Sequence, residues 1–423
     1  MPTLSRRSFL ATSAVALTAA EYTGAADKPN DRIRVAVMGG RIRGKFHLSA
    51  FPQQTGVTVT HLIEPDANLV PEALKVLAKR QKTEAAHETD IRKLLTNKDV
   101  DVLVVAAPDH WHALATVWAC QAGKHVYCEK PASHDMIEGR RMVDAARKHK
   151  RFVQIGTQRR SAAHVIAARE FVAAGKLGKV PFARAWIAGN RKPIGTTTAS
   201  PIPKGVDFDL WRGPAALVPF HANRFHYNWH WFWDMGTGEI GNNGIHGLDV
   251  ARYVLGLDAP TRVTASGGKY VFDDDQQTPD TMLAAFDFPG CTVAWEHRTW
   301  AKNDSDLEGE SFGISLHGEK GTMIFDNKGW HVRGMDGVAE KAVGGFDLAH
   351  VKNFLDAVRG DAKLTADVEE GHKSTRLCHL GNIAFRVGRV LNFDGKTESI
   401  TGDKEATALL GREYRKGFEL PAV

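Results

Sequence analysis

A chain of 423 residues with 43% hydrophobic residues is too long for one ordinary core and apolar enough to build two. Its net charge of +6 is spread along the chain, with no dense Lys/Arg run broken by aromatics, which argues against a nucleic-acid surface. No apolar stretch reaches the ~18 residues of a membrane span, so the mature protein is expected to have no membrane segment.

In chain order, Ser5-Arg6-Arg7-Ser8-Phe9-Leu10 precedes a modestly apolar run, Ala11 to Ala20, and small residues up to Ala26. This resembles a twin-arginine export signal, read by a translocase that carries folded proteins, and it implies a periplasmic or extracytoplasmic site of action. Residues 1–30 are therefore set aside as signal and linker. Cys120, Cys128, Cys291 and Cys378 lack metal-type spacing and are read as free, buried thiols.

From about residue 31 to 155, short β-rich runs alternate with helix-period segments. The runs are Arg34 to Met38, Val57 to Ile63, Val102 to Ala106, His125 to Cys128 and Phe152 to Ile155. Leu69 to Lys82 and Met136 to Lys148 read as helices between them. The pattern predicts a doubly wound parallel sheet, an α/β domain of the Rossmann kind. After a helix from Ala162 to Ala174 the texture becomes alternating and aromatic, which predicts a second α/β domain over 156–345 with an open, mainly antiparallel sheet. The tail, 346–423, returns to helix and is expected to pack on both domains.

The first strand runs into Gly39-Gly40-Arg41-Ile42-Arg43-Gly44 and then a helix, the context in which a helix N-terminus binds pyrophosphate. In the G-x-G-x-x-G frame Gly39 and Gly44 fit, but Arg41 stands where the second glycine admits the phosphates. Arg41 and Arg43 are expected to add guanidinium contacts to them. Glu64 closes the second strand, where a carboxylate accepts the adenosine ribose hydroxyls and repels a 2′-phosphate, so NAD is favoured over NADP.

Three further segments carry a family likeness: Ala107-Pro108-Asp109-His110-Trp111-His112, Glu129-Lys130-Pro131 and Gly241-Asn242-Asn243-Gly244-Ile245-His246-Gly247-Leu248-Asp249. Together they resemble the Gfo/Idh/MocA oxidoreductases, the glucose-fructose oxidoreductase and inositol dehydrogenase type, from Arg32 to the tail. The resemblance implies a nicotinamide-dependent enzyme acting on a sugar or polyol, with Lys130 and His246 as the catalytic pair. Asp249 matches the last acid of the family motif, whereas Asn242 replaces its first. The resemblance also implies a homodimer or homotetramer.

The chemistry points the same way. Oxidising a secondary alcohol needs a base beside the nicotinamide, and Lys130 follows a strand at the carboxyl end where such sheets bind ligands. His246 and Asp249 are spaced i, i+3, so on a helix the carboxylate can tune the imidazole. Pro108, His110, His112 and Glu129 are expected around the cofactor. Tyr227, Trp229, Trp231 and Trp233 alternate as on a strand, giving either a core-facing stripe or a stacking wall for a sugar ring, with Tyr227, His230 and Trp231 on the substrate. Gln158, Arg159 and Asn242 are further substrate candidates, and no metal is expected. Two other readings stand beside the dehydrogenase: a glycoside hydrolase working through transient oxidation, and a sugar-binding protein with a lapsed cofactor loop.

Overall fold

Five apolar runs and one short polar one in the N-terminal half pair as one sheet. The computed structural model describes residues 32–301, 310–326 and 328–423, so the export segment lies outside the described residues. Strands β1 (Ile33–Met38), β2 (Val57–Ile63), β3 (Ala86–Glu88), β4 (Val102–Val105), β5 (His125–Cys128) and β6 (Val153–Ile155) take the order β3-β2-β1-β4-β5-β6. Every neighbouring pair is parallel. The connections carry α1 (Ile42–Ala50), α2 (Val70–Ala78), α3 (Ile91–Leu95), α4 (Asp109–Gln121) and α5 (Met136–Lys148). All four residues of β4 are buried, because helices cover both faces of the sheet. Strand order reverses between β1 and β4, which opens a crevice at the strands' carboxyl ends. Strand β3 escaped the sequence reading because Ala-His-Glu carries no apolar signal.

The second half contributes α6 (Ala163–Ala173), β7 (Phe182–Ala188), α7 (Phe208–Arg212), α8 (Ile245–Leu255), β8 (Arg262–Gly268), β9 (Thr281–Phe288) and β10 (Cys291–Arg298). It continues with β11 (Phe312–Gly318), β12 (Gly321–Asp326), β13 (Gly329–Arg333) and β14 (Ala339–Lys341). The tail holds α9 (Phe346–Arg359), α10 (Val368–Val387), β15 (Leu391–Asp394), β16 (Ser399–Ile400) and α11 (Lys404–Ala408). The sheet order is β14-β13-β12-β11-β7-β10-β9-β8-β15-β16. It is mixed: β7 and β10 run parallel, while the other pairs are antiparallel. A parallel pair needs a long crossover, and the excursion through α7, α8 and the β8–β9 hairpin provides it.

One face of this sheet is covered. Met282, Ala284, Phe286 and Phe288 of β9 are buried in a core shared with Leu248, Val250, Leu377 and Leu380, from α8 and α10. Leu283 points the other way and is 52% exposed. The tail also packs on the parallel sheet: Val351, Phe354 and Leu355 of α9 join a core with Val35, Val37 and Val104, and Phe418 meets the Trp111 ring. The four cysteines are free and buried.

Candidate active site

The cleft forms where β1, β4 and β5 end. Gly39 has φ +107°, and a Cβ there would come within 2.6 Å of the Ala106 carbonyl oxygen. Gly44, in the first turn of α1, packs so tightly that a Cβ would sit 1.8 Å from the Gly39 oxygen. These two glycines therefore bring helix and strand together as the fingerprint requires. Gly39, Gly40, Arg41, Ile42 and Arg43 line the cleft, and α1 opens with no acid in its first turn, leaving its early N–H groups to an anion. The Arg41 side chain is exposed and has no ion pair or hydrogen bond to the described residues, which suits a phosphate contact. Arg43 does not. Its guanidinium donates to Glu129 at 2.8 Å and pairs with Asp347, so its charge is already engaged.

Glu64 lies at the cleft wall, 4% exposed, and accepts from the Gly40 N–H at 2.6 Å and the Asp66 N–H at 3.0 Å. Burial outweighs these bonds and pushes its carboxyl up to about 7. If ribose hydroxyls donate to this group, binding favours the carboxylate and releases a proton below pH 7. NAD affinity is then expected to fall as pH drops below 7, by at most tenfold per unit. Glu64→Gln should flatten the profile, and Glu64→Ala should weaken NAD by about 1–3 kcal/mol. Titration calorimetry on nucleotide-stripped protein checks this; a wild-type profile unchanged in Glu64→Gln removes the residue from the site.

Glu129 is anchored beneath the cleft by Arg43 and by His47 at 2.7 Å. Burial opposes its charge, but these partners outweigh it and hold its carboxyl below the usual range. Lys130, the next residue, sends its ammonium across the cleft to the Asn242 carbonyl at 2.7 Å and to Asn242 Oδ1 at 3.2 Å. Burial lowers its pKa, against the pull of Glu129 and Asp109. Asn242 belongs to a π-helical turn, Ile240–Gly244, that leads directly into α8. An inserted residue of this kind re-aims a helix end, and here it turns a backbone carbonyl toward the lysine.

His246 does not line the cleft but lies close enough for Lys130 and Arg159 to act on it; after burial, these cations lower its pKa further, well below the ordinary histidine value. Its Nδ1 has no hydrogen-bond partner. Asp249 does not orient it. Arg160 donates to both Asp249 oxygens, at 2.9 and 3.0 Å, and the Ser374 hydroxyl takes Oδ1 at 2.6 Å. The i, i+3 spacing is present, but a buried arginine outcompetes the imidazole for the carboxylate.

The aromatic run is not a strand. Asn228–Trp231 form a 3₁₀ turn, so alternation does not sort the side chains. Tyr227, Trp229 and His230 line the cleft, with the Trp229 and His230 rings stacked 3.6 Å apart. Trp231 instead lies in a small core with Trp211, Phe220 and Phe232, so its expected substrate role is corrected. His110 is likewise buried, its Nε2 on the Trp211 carbonyl at 3.1 Å, and is no part of the cleft wall. Pro108 and His112 do line it. Both His112 nitrogens face carbonyls, Pro131 at 2.7 Å and Ala107 at 2.9 Å. Burial works against charge on this ring, yet Cys128, Asp109 and the Pro131 carbonyl raise it to about 10. Gln158 and Arg159 stand outside the cleft lining, and the Arg159 guanidinium covers the Phe312 ring at 4.9 Å.

Sequence reasoning passed over Asp109, Trp211 and His226, all at the cleft wall. Asp109 accepts from the Thr237 hydroxyl at 2.8 Å, and burial raises its carboxyl to about 6. It was visible within the P-D-H-W-H motif, whereas His226, paired with Asp66 at 2.6 Å, carried no sequence signal.

A six-stranded parallel sheet with a glycine turn on its first crossover is the architecture of a dinucleotide-binding domain, and Lys130 at its edge meets the π-helical turn that leads into α8. Residues 33–157 match the family described as "Oxidoreductase family, NAD-binding Rossmann fold" and residues 190–420 match "Oxidoreductase family, C-terminal alpha/beta domain". The chain belongs to this Gfo/Idh/MocA oxidoreductase family. It is similar to the levoglucosan dehydrogenase of Pseudarthrobacter phenanthrenivorans, 23% identical over 232 residues, 53% of this chain and 51% of that protein. It thus spans about half the length of that relative. It is also similar to the D-glucoside 3-dehydrogenase of Escherichia coli, 26% identical over 363 residues, 80% of this chain and 92% of that protein. Among solved structures, the WlbA dehydrogenase from Bordetella pertussis in complex with NADH and UDP-GlcNAcA shares the fold. Its TM-score is 0.66 at 20% identity, covering 86% of this chain and 99% of that one.

Proposed function

We propose that the protein is an NAD-dependent dehydrogenase of a sugar or polyol in which Lys130 handles the hydroxyl proton. The observation that carries this reading is the half-buried Lys130 ammonium, fixed by both oxygens of Asn242 in the same cleft as the Gly39–Arg43 loop and Glu64. Gly39, Gly40, Arg41 and Glu64 would hold NAD, and NAD when bound supplies the hydride acceptor. The chain's own part is the proton. A lysine whose pKa is lowered by burial takes the proton of a secondary hydroxyl at Nζ more readily near neutral pH than a solvated one does. His246 lies outside the cleft lining but within reach of the Lys130 charge, and its unpartnered Nδ1 would serve as a second acceptor behind the lysine. Tyr227, Trp229 and His230 give the apolar and hydrogen-bonding wall that a sugar ring needs. The relatives named for levoglucosan and D-glucosides favour this substrate class.

Export by the twin-arginine route and a homo-oligomer built on the uncovered sheet face belong to the same proposal. An enzyme outside the cytoplasmic membrane meets little free dinucleotide, so NAD loaded before export is expected to stay bound through a closed redox cycle. Dialysed protein should release near-stoichiometric NAD(H) on denaturation, read by mass spectrometry. It should also turn over without added cofactor, with two sugars in ping-pong or with one glycoside hydrolysed. Protein that emerges empty and consumes NAD stoichiometrically overturns the retention; protein that never binds NAD overturns the dehydrogenase.

A further inference from the structure

Two polar groups on the aromatic wall of the cleft, those of Tyr227 and His230, are held with opposite hydrogen-bonding sense. His230 Nδ1 meets the Tyr227 carbonyl at 2.5 Å, and a carbonyl only accepts, so this nitrogen carries the ring proton. The Trp229 ring, stacked with its centroid 3.6 Å away, fixes the imidazole plane. Nε2 has no hydrogen-bond partner among the described residues and is not enclosed, and the ring lines the cleft. Desolvation lowers this ring to about 3; the Tyr227 carbonyl opposes the shift, and the charges of Lys130 and Arg191 add to it. Nε2 is therefore a bare lone pair at any working pH. The Tyr227 hydroxyl has the other sense. Arg191 Nη1 donates to it at 3.3 Å, and a guanidinium can only donate, so the phenol accepts there and keeps its own proton for a ligand. Tyr227 is 37% exposed and lines the cleft.

Arg191 is fixed in this role. Its Nε and Nη2 hold the two oxygens of Glu239 at 3.1 and 3.3 Å, its face covers the Trp231 ring at 4.9 Å, and its backbone N–H donates to the Thr299 carbonyl at 2.8 Å. Glu239, buried at the head of the π-helical turn, also accepts from the Asn243 amide, so the aromatic wall is tied to the turn that carries Asn242. Taking the enzyme as a sugar or polyol dehydrogenase, we infer that Tyr227 and His230 read two neighbouring oxygens of the substrate ring. Tyr227 donates to one, the hydroxyl on the other donates to His230 Nε2, and Arg191 is the positioning residue that sets the sense of Tyr227. The Tyr227 and His230 rings lie 4.8 Å apart, close enough for adjacent substituents of one pyranose or cyclitol to meet both. The pair thus selects a ring with two adjacent oxygens of which the second is a free hydroxyl. A carboxylate at that position has no proton for Nε2 and would set its own lone pairs against it. A deoxygenated or O-alkylated position leaves Nε2 without its donor, the kind of loss that makes hydrogen-bonding sites selective.

The test titrates methyl β-D-glucopyranoside and its monodeoxy analogues calorimetrically into the full chain saturated with NADH, so that no turnover accompanies binding. Removing the hydroxyl at one ring position should cost wild type about tenfold in affinity and cost His230→Phe nothing, since phenylalanine keeps the stack on Trp229 and lacks the lone pair. Removing the oxygen next to it should cost wild type about threefold to tenfold and cost Tyr227→Phe nothing. Arg191→Lys keeps a cation on Glu239 and should weaken the glucoside several-fold in the wild-type background but no further in Tyr227→Phe; losses that add would make Arg191 merely structural. NADH affinity, measured separately, should be the same in wild type and all three variants. Wild type that never binds NADH overturns the dehydrogenase itself. Intact NADH binding without saturable binding of the glucoside at millimolar concentration, or with either matched pair missing, overturns this inference alone, as do variants that weaken NADH instead of the glucoside.

Discussion

Replacing Lys130 with Met is expected to lower turnover roughly 10²- to 10⁴-fold, the usual contribution of one positioned acid or base, while NAD binding and fold persist. The side chain is apolar along its length and its only charged atom meets the two oxygens of Asn242. Methionine fills much the same volume, so the structural loss is confined to those two hydrogen bonds, about 1–3 kcal/mol. If the lysine merely braced the π-helical turn, Lys130→Met would lower thermal stability and leave kcat nearly intact. If it handles the proton, kcat falls far more than this small loss of stability accounts for, at a temperature where the variant is folded, and the pH dependence set by a burial-lowered lysine disappears from the profile. His246→Ala should act similarly, though its unpartnered Nδ1 makes it cheaper to remove. Near-normal turnover of Lys130→Met on the enzyme's own substrate would show the motif lysine to be misassigned.

How far the sequence foretold this site depends on whether a residue's partner lies nearby in the chain. Five of the six strands of the parallel sheet followed from apolar runs, and the glycine turn from Gly39 and Gly44, whose missing side chains are a local requirement. Glu64, Lys130 and Asn242 stand where strand ends and motif spacing put them. What failed was long-range competition for charge. Nothing local in R-I-R-G says that Arg43 will turn to Glu129, 86 residues on, or in H-x-x-D that Arg160 will claim the acid 89 residues later. The aromatic run misled for a different reason: period-two spacing is shared by strands and by compact turns that bury alternate rings, and Phe208, Trp211 and Phe220 supplied a core that pulled Trp231 inward.

Asp249→Asn is expected to destabilise the protein by about 3–5 kcal/mol, the cost of leaving a buried charge without its partner. Arg160 and Asp249 are 2% and 1% exposed at their side chains, and Arg160 also reaches Glu370 at 3.2 Å. Arg252 draws on that same Glu370 carboxylate. With Asp249 neutral, two buried guanidiniums from α8 and the segment after β6 would share one acid that is itself 40% exposed. Asparagine can keep the Ser374 hydrogen bond but cannot carry the charge, so the loss is electrostatic rather than a cavity. The measurement is a denaturant melt of wild type and variant, paired with kcat at a temperature where both remain folded. A shared midpoint with a collapsed kcat would return Asp249 to the imidazole. A lowered midpoint with near-normal kcat in the folded fraction would assign the motif's last acid to clamping α8, and with it the π-helical turn that aims Asn242 at Lys130, onto the parallel sheet.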